Sequence, residues 1–420
     1  MSAAEAAPQR ATRAAPRLEG VEGLRALAAL SVVIYHCGQV TSSRTLGAGW
    51  LATLTTPFAS GVTFFFVLSG FLLYRPFVAA FASQGQIPSI RSYLRSRFLR
   101  IFPAYWAVLL LVILVLGTPV VQVASPQLIT GEGLGLGTAL ADAALVQTFF
   151  PATFGTGVLP AWSLSVEVSF YLVLPAVILL VAWFRARRPT TDVRALTLFP
   201  PLALVAIALV GKAVAVYVIP GRPAGFDEGW HSVLAFSLAT RADAFACGML
   251  AAVLLLRIER GLALPRRRIR LWVEAALVPL ALAFFVFGGP LGRYAQSTLL
   301  AGLFAAAILW VVLAAQREGA RRSVLVTFLT SRPMLLLGLC SYSIFLWNHP
   351  LLYWLDERGL TAIGVGGFFL AMCTLALPLL GLSYLTYRWV ELPALRLKSG
   401  FRNYKLRPLR TARAESGPTS

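Results

Sequence analysis

Charge is what this sequence has least of. Only 13% of its 420 residues are Asp, Glu, Lys or Arg, where soluble proteins carry about 25%. That excludes an ordinary water-soluble chain of two or three globular domains. Acid is scarcer still, with 17 Asp and Glu against 37 Lys and Arg. The four cysteines (Cys37, Cys247, Cys340, Cys373) all fall in apolar runs without a C-x-x-C pair, so they read as buried, inert thiols. The three histidines do not stand in ligand spacing with a cysteine or carboxylate, and no metal is expected. A cleaved secretion signal is not expected either, because the first twenty residues are polar and basic.

Apolar residues dominate instead, at 58% with a mean hydropathy of +0.75. Runs of membrane-spanning length recur at 24–41, 57–80, 104–123, 162–184, 195–219, 232–256, 271–289, 297–315, 333–355 and 363–388. With the N-terminus inside, only Arg44, Arg222, Arg293 and Arg358 fall outside, and Lys212 and Arg241 lie within spans. The rest of the 37 basic residues sit in cytoplasmic segments or at their membrane edges, as the positive-inside rule requires. The net charge of +20 is therefore a topology signal, and no nucleic-acid partner is expected. The expected fold is all-α: a polytopic bundle of about ten transmembrane helices, both termini cytoplasmic, integral to the cell membrane. Residues 1–20 and 396–420 read as polar, disordered tails and 21–395 as the membrane domain. In the external loop 118–160, "GTALADAALVQTFFP" is too short to span and fits an interfacial or re-entrant helix.

Polar groups inside apolar runs carry the chemistry. In "GLRALAALSVVIYHCG", Arg25 and His36 are eleven residues apart, roughly three turns plus 20°, so they share a helix face about 16 Å apart along the axis. Ionisable groups at membrane depth face the bundle interior or a cavity. A snorkelling anchor also explains Arg25, and a satisfied core histidine also explains His36, whose ordinary pKa suits proton transfer. In "RSYLRSRFLRIFPAYW", Arg97 and Arg100 project from one face at the cytoplasmic mouth of the third span, followed by Tyr105 and Trp106. Guanidinium forks match phosphate oxygens; a basic flank with an interfacial aromatic belt is the other reading. Glu167 in "LPAWSLSVEVSFYLVLP" falls at a depth similar to His36, where a carboxylate can hold a histidine's tautomer. Arg241 and Asp243 in "TRADAFACG" read as a structural pair neutralising each other or neighbouring charges.

These segments resemble the acyltransferase-3 family of integral membrane acyltransferases. The R-x10-H pair of Arg25 and His36 is similar to that family's signature. So, in order and spacing, are "FFFVLSGFLL" (64–73), "RFLRIFPAYW" (97–106), "WSLSVEVSFY" (162–171), "YSIFLWNHPLL" (342–352) and "YRWVELP" (387–393). The resemblance implies transfer of an acyl group, usually acetyl, from coenzyme A on the cytoplasmic side to a hydroxyl of a carbohydrate or lipid-linked acceptor. It implies His36 as catalytic base, Arg25 as its essential partner, Glu167 as the carboxylate of its block, and Arg97 and Arg100 as coenzyme A ligands. Tyr105 and Trp106 are candidates for the same donor site. Two departures stand out: the block expected as W-H-x-P reads Trp347-Asn348-His349-Pro350, and the family's frequent C-terminal SGNH domain is not found, which leaves the acceptor less defined.

On this reading the acyl donor is acetyl-CoA or another acyl-CoA, and the acceptor an envelope glycan or glycolipid, with a small glycosylated metabolite such as a macrolide as the alternative. Direct attack by the acceptor is favoured over a Cys37 acyl-enzyme, because adjacent helix positions point about 100° apart. A transporter of acyl donor or glycolipid is the rival class, since it too needs intramembrane His, Glu and Arg. An internal inverted repeat would favour it, and none is seen. A structural membrane protein would not need His36 and Glu167 at matching depth.

Overall fold

A computed structural model describes residues 18–42, 49–83, 85–116, 135–188, 190–219, 229–261, 289–316 and 323–397. Most of both tails and the expected span 271–289 lie outside the described residues. Among the described residues there is no strand. In lipid a helix satisfies every backbone donor and acceptor within its own segment, so apolar runs of this length fold as helices. Eight stretches are long and apolar enough to cross a membrane, and a ninth is a bent pair. These nine correspond to nine of the ten expected spans.

In chain order the helices are α1 (Val21–Ser42), α2 (Gly49–Thr55), α3 (Gly61–Ser83), α4 (Ile90–Leu111), α5 (Leu136–Ala143), α6 (Trp162–Arg187), α7 (Val193–Tyr217) and α8 (Trp230–Ala235). They continue as α9 (Leu238–Glu259), α10 (Gly289–Ala315), α11 (Val324–Leu329), α12 (Arg332–Leu339), α13 (Ser341–Glu357), α14 (Gly364–Thr386) and α15 (Leu392–Arg396). Side-chain caps mark several starts: Ser89, Asp192, Ser237 and Ser323 each accept a backbone N–H from the first turn that follows. Leu209, Leu377 and Phe369 are among the large apolar side chains left on the outer surface, where lipid is their solvent.

The expected straight span 333–355 is broken. Its two halves, α12 and α13, meet at 69° around Cys340, which starts a fresh helix at Ser341 and turns Tyr342 and Ser343 into the bundle. A π-helical turn, Tyr387–Glu391, follows α14, and its wider winding brings Glu391 inward, 2% exposed. Of the cysteines, Cys37 and Cys340 are buried, but Cys373 is exposed on the lipid-facing side of α14, contrary to the expectation for all four.

Two helix groups pack into one core: α3, α7, α9 and α10 on one side, α1 with α12, α13 and α14 on the other, joined by contacts of α1 with α3 and α10. The α3–α9 crossing is close enough to require glycine. A Cβ on Gly248 would stand 1.9 Å from the Val67 carbonyl oxygen and one on Gly70 2.1 Å from that of Phe245. These are backbone atoms, which cannot swing aside, and small residues are how membrane helices approach this closely. Gly248→Val is accordingly expected to cost about 1–3 kcal/mol or more, read as a lower unfolding temperature of the purified protein. Gly302→Ala, with open space at its Cβ, should leave that temperature unchanged.

A buried polar knot ties α7, α9 and α10. Lys212 Nζ lies 2.5 Å from Asp243 Oδ2 and donates to Thr298 Oγ1 at 2.7 Å. Thr298 also donates to Asp243. The partner of Asp243 is thus Lys212 and not Arg241, its neighbour in the sequence. Arg241 donates to the Ala235 carbonyl and stands over the rings of Trp162 and Phe236. Gln316, just past α10, reaches Glu259 at the end of α9, while Lys212 on α7 touches Tyr294 and Thr298 near the start of α10. Gly261 and Gly289 therefore lie at opposite ends of the bundle.

Candidate active site

A narrow cavity of about 110 Å³ runs between α1, α3, α4, α6 and α13. On α3 its wall extends from Val62 to Leu73, about 16 Å of helix. One end holds three guanidinium groups, Arg25 from α1 and Arg97 and Arg100 from α4, facing the Glu167 carboxylate from α6. The other end is framed by Val62, Ser163, Phe65 and Phe345, the two phenylalanines meeting edge to face at 6.2 Å.

Each charge in this cavity has a different tether. Arg100 Nη1 bonds Glu391 Oε2 at 3.1 Å, and its guanidinium stands over the Tyr342 ring. Ser343 Oγ donates to the other Glu391 oxygen. Arg25 is held loosely, with Nη1 3.8 Å from Glu22 Oε2. Arg97 stands 5.8 Å above the Tyr171 ring. The Nε atoms of both Arg25 and Arg97 are buried without a hydrogen-bond partner among the described residues. Glu167 Oε1 accepts from Ser69 Oγ and Tyr171 Oη, each at 2.6 Å. Of the three guanidinium groups, Arg100 is paired with Glu391 and Arg25 stands near Glu22, while Glu167 is bonded to Ser69 and Tyr171. Arg97 is left without a carboxylate of its own, and the two orphaned donors, Arg25 Nε and Arg97 Nε, are suited to an anion.

His36 lies beyond the opposite end. Its Nδ1 is hydrogen-bonded to Asn348 Oδ1 on α13. The amide's orientation is not arbitrary, since Asn348 Nδ2 donates to the carbonyls of Ile344 and Phe345. That leaves Oδ1 to accept, so His36 Nδ1 carries the proton and Nε2 keeps its lone pair. The His349 ring meets His36 edge-on at 5.1 Å and is stacked in turn on Tyr353. Phe345 precedes Asn348 by one turn on the same face of α13, so the cavity ends about 5 Å of helix rise from the His36 contact.

The structure thus brings Arg25, Arg97, Arg100 and Glu167 together and sets His36 apart. It does not place Glu167 at His36: the histidine's partner is Asn348, a neutral amide. Nor do Tyr105 and Trp106 join the arginines. Tyr105 Oη donates to the Asp142 carbonyl and Trp106 Nε1 to that of Ala143, so the pair pins α5, the short helix of the "GTALADAALVQTFFP" segment. Sequence reasoning misses Asn348 because a charged partner is the usual signal for an oriented histidine. It misses Ser69 and Tyr342, which line the cavity, and Glu391, which pairs with Arg100, because each meets its partner only after the helices pack.

Asp142, at the end of α5, is 2% exposed and accepts from Thr156 Oγ1 at 2.7 Å. Burial pushes its carboxyl up to about 6, and the Thr156 hydrogen bond opposes part of that rise. A raised carboxyl favours the fold fully below the ordinary carboxylate range, and the advantage is lost as pH rises through about 6. Amide exchange in 135–161, corrected for its intrinsic rate, is therefore expected to be faster at pH 7.5 than at pH 5. Asp142→Asn should remove the difference.

A family model described as "Acyltransferase domain" matches residues 18–388. An acyltransferase of Streptomyces mycarofaciens, MdmB, is 33% identical over 182 residues, 41% of this chain and 40% of that protein. The O-acetyltransferase OatA of Staphylococcus aureus is 25% identical over 410 residues, 93% of this chain and 59% of the relative. The peptidoglycan O-acetyltransferase OatA of Listeria monocytogenes is 24% identical over 395 residues, 91% of this chain and 56% of the relative. The chain therefore spans about half the length of these relatives. No solved structure matches it. A match over nearly the whole described bundle, with the R-x10-H pair and the arginine cavity in place, makes this multi-pass membrane protein a member of the acyltransferase-3 family.

Proposed function

We propose that the protein transfers an acyl group, acetyl in the simplest case, from a coenzyme A thioester to a hydroxyl of an envelope glycan or glycolipid. The observation that carries this reading is the cavity itself: three guanidinium groups at one end and, one helix turn past the other, a histidine with its tautomer fixed. Arg97 and Arg25 would hold phosphate oxygens of the donor, and the narrow apolar slot along α3 would guide its acyl-bearing arm toward His36. His36 Nε2 takes the proton of the acceptor hydroxyl. The alkoxide oxygen bonds to the thioester carbonyl carbon, the carbon–sulfur bond breaks, and the thiolate leaves with the proton returned from His36. Holding donor and acceptor together makes this step effectively unimolecular. Cys37 is fully buried, which supports direct transfer over an acyl-enzyme.

The Listeria relative, a peptidoglycan O-acetyltransferase, points to peptidoglycan as one acceptor of the proposed class. The test uses purified full-length protein in nanodiscs with labelled acetyl-CoA and fractionated envelope glycans. Acceptor-dependent release of free thiol, matched by label in the glycan, is the expected result. Bound acetyl-CoA whose thiol release stays at the uncatalysed rate with every acceptor would overturn the donor assignment. An acetyl mass lost from a small glycoside, with envelope glycans unchanged in a deletion strain, would overturn the acceptor class.

A further inference from the structure

A second, larger cavity of about 430 Å³ lies at the other face of α3, where the end of α3, the start of α7 and the end of α9 meet. Arg194, Arg257 and Arg260 line it, with Val78, Val253 and Leu256 among its apolar walls and, among the described residues, no carboxylate on its lining. Two acids next to lining residues in the sequence are engaged elsewhere. Glu259 stands 3.9 Å from Arg75 and accepts from Gln316, and Asp192 caps the backbone of Arg194. Arg260 is fixed at the rim by its hydrogen bond to the Ala82 carbonyl. Arg257 has a buried Nη2 with no hydrogen-bond partner among the described residues. A buried guanidinium donor without an acceptor is costly, and an anion in the cavity would relieve it.

We infer that this cavity binds the headgroup of an anionic glycerophospholipid. Its phosphate would sit among Arg194, Arg257 and Arg260, with the upper part of an acyl chain against Val78, Val253 and Leu256. Two observations favour a lipid over a soluble phosphate. The apolar walls belong to membrane-spanning helices, and the cavity lies at the end of the bundle that carries the basic loops. Anionic lipid is enriched at that surface, where each nearby Lys or Arg contributes about 1 kcal/mol of attraction. The site is separate from the cavity of Arg25, Arg97 and Arg100, and the inference does not depend on the proposed donor.

The experiment uses the full chain in detergent, with phosphatidylglycerol, phosphatidylcholine or inorganic phosphate added in turn. Native mass spectrometry and thermal unfolding are the readouts. Phosphatidylglycerol is expected to stay bound as one copy and to raise the unfolding temperature, the other two leaving it unchanged at equal concentration. Replacing the three arginines (Arg194→Gln, Arg257→Gln, Arg260→Gln) should weaken phosphatidylglycerol about a hundredfold. Equal retention of the two lipids, or wild-type retention by the triple variant, would overturn the site. An equal shift from inorganic phosphate would show a soluble phosphate ligand and overturn the lipid assignment. The two-lipid comparison needs only wild-type protein, so it stands even if the triple variant does not fold.

Discussion

His36→Ala is expected to remove acyl transfer, by about 10²–10⁴-fold in kcat, while donor affinity and unfolding temperature stay at wild-type values. The separation follows from where the side chain sits. His36 is beyond the end of the arginine cavity and bonded only to Asn348, so its loss should not reach the groups proposed to hold the donor. Asn348→Leu should lower kcat by a smaller factor, about five- to a hundredfold, because it frees the ring to adopt the other tautomer without removing it. Glu167→Gln belongs to a different class: its carboxylate is bonded to Ser69 and Tyr171 beside the guanidinium groups, so donor affinity is expected to change before kcat does. Calorimetry with a non-transferable donor analogue, single-turnover kinetics and thermal unfolding separate the three effects. A stable His36→Ala protein with wild-type turnover would return this histidine to the role of a core residue.

Much of this geometry is legible in the amino-acid sequence. The 11-residue spacing of Arg25 and His36 fixes a shared face and a rise by helix geometry alone, and the pairing of Arg97 with Arg100 follows from the i, i+3 rule. What periodicity cannot supply is the azimuth of one helix against another. Glu167 and His36 have similar depth in their spans, yet depth is one coordinate of three, and packing turns Glu167 toward the arginines. Asn348 is silent for a related reason. It does a histidine-orienting task without charge, and a neutral amide inside an apolar run gives no signal until its Nδ2 is seen to be occupied. Tyr105 and Trp106 mislead because proximity in sequence to Arg100 places them more than one turn further along α4, at α5 rather than at the cavity. The pairing of Lys212 with Asp243 needs the contact between α7 and α9, whereas Arg241 is simply the nearest charge in the chain.

Arg100 and Arg97 look equivalent in sequence, and their variants are expected to diverge. Arg100 is paired with Glu391, whose side chain is only 1% exposed against 17% for the arginine. Truncating it strands a carboxylate inside the bundle, and breaking a buried pair from one side costs about 3–5 kcal/mol. Arg100→Ala is therefore expected to unfold at a markedly lower temperature, and any loss of donor binding in it would be uninterpretable alone. Adding Glu391→Gln should recover much of the stability, because the amide still accepts from Ser343 and no charge is left unpaired. Arg97 has no carboxylate partner among the bonds of the cavity and rests on the Tyr171 ring. Arg97→Gln should hold its unfolding temperature while donor affinity falls at least about tenfold, the worth of one charge-assisted hydrogen bond at about 1.5–3 kcal/mol. The comparison needs unfolding curves and calorimetric titration of the three variants in one detergent. An Arg100→Ala protein as stable as wild type would mean that Glu391 is not held by this pair. An Arg97→Gln protein with unchanged donor affinity would remove the phosphate-binding role from the guanidinium group that the cavity leaves most free.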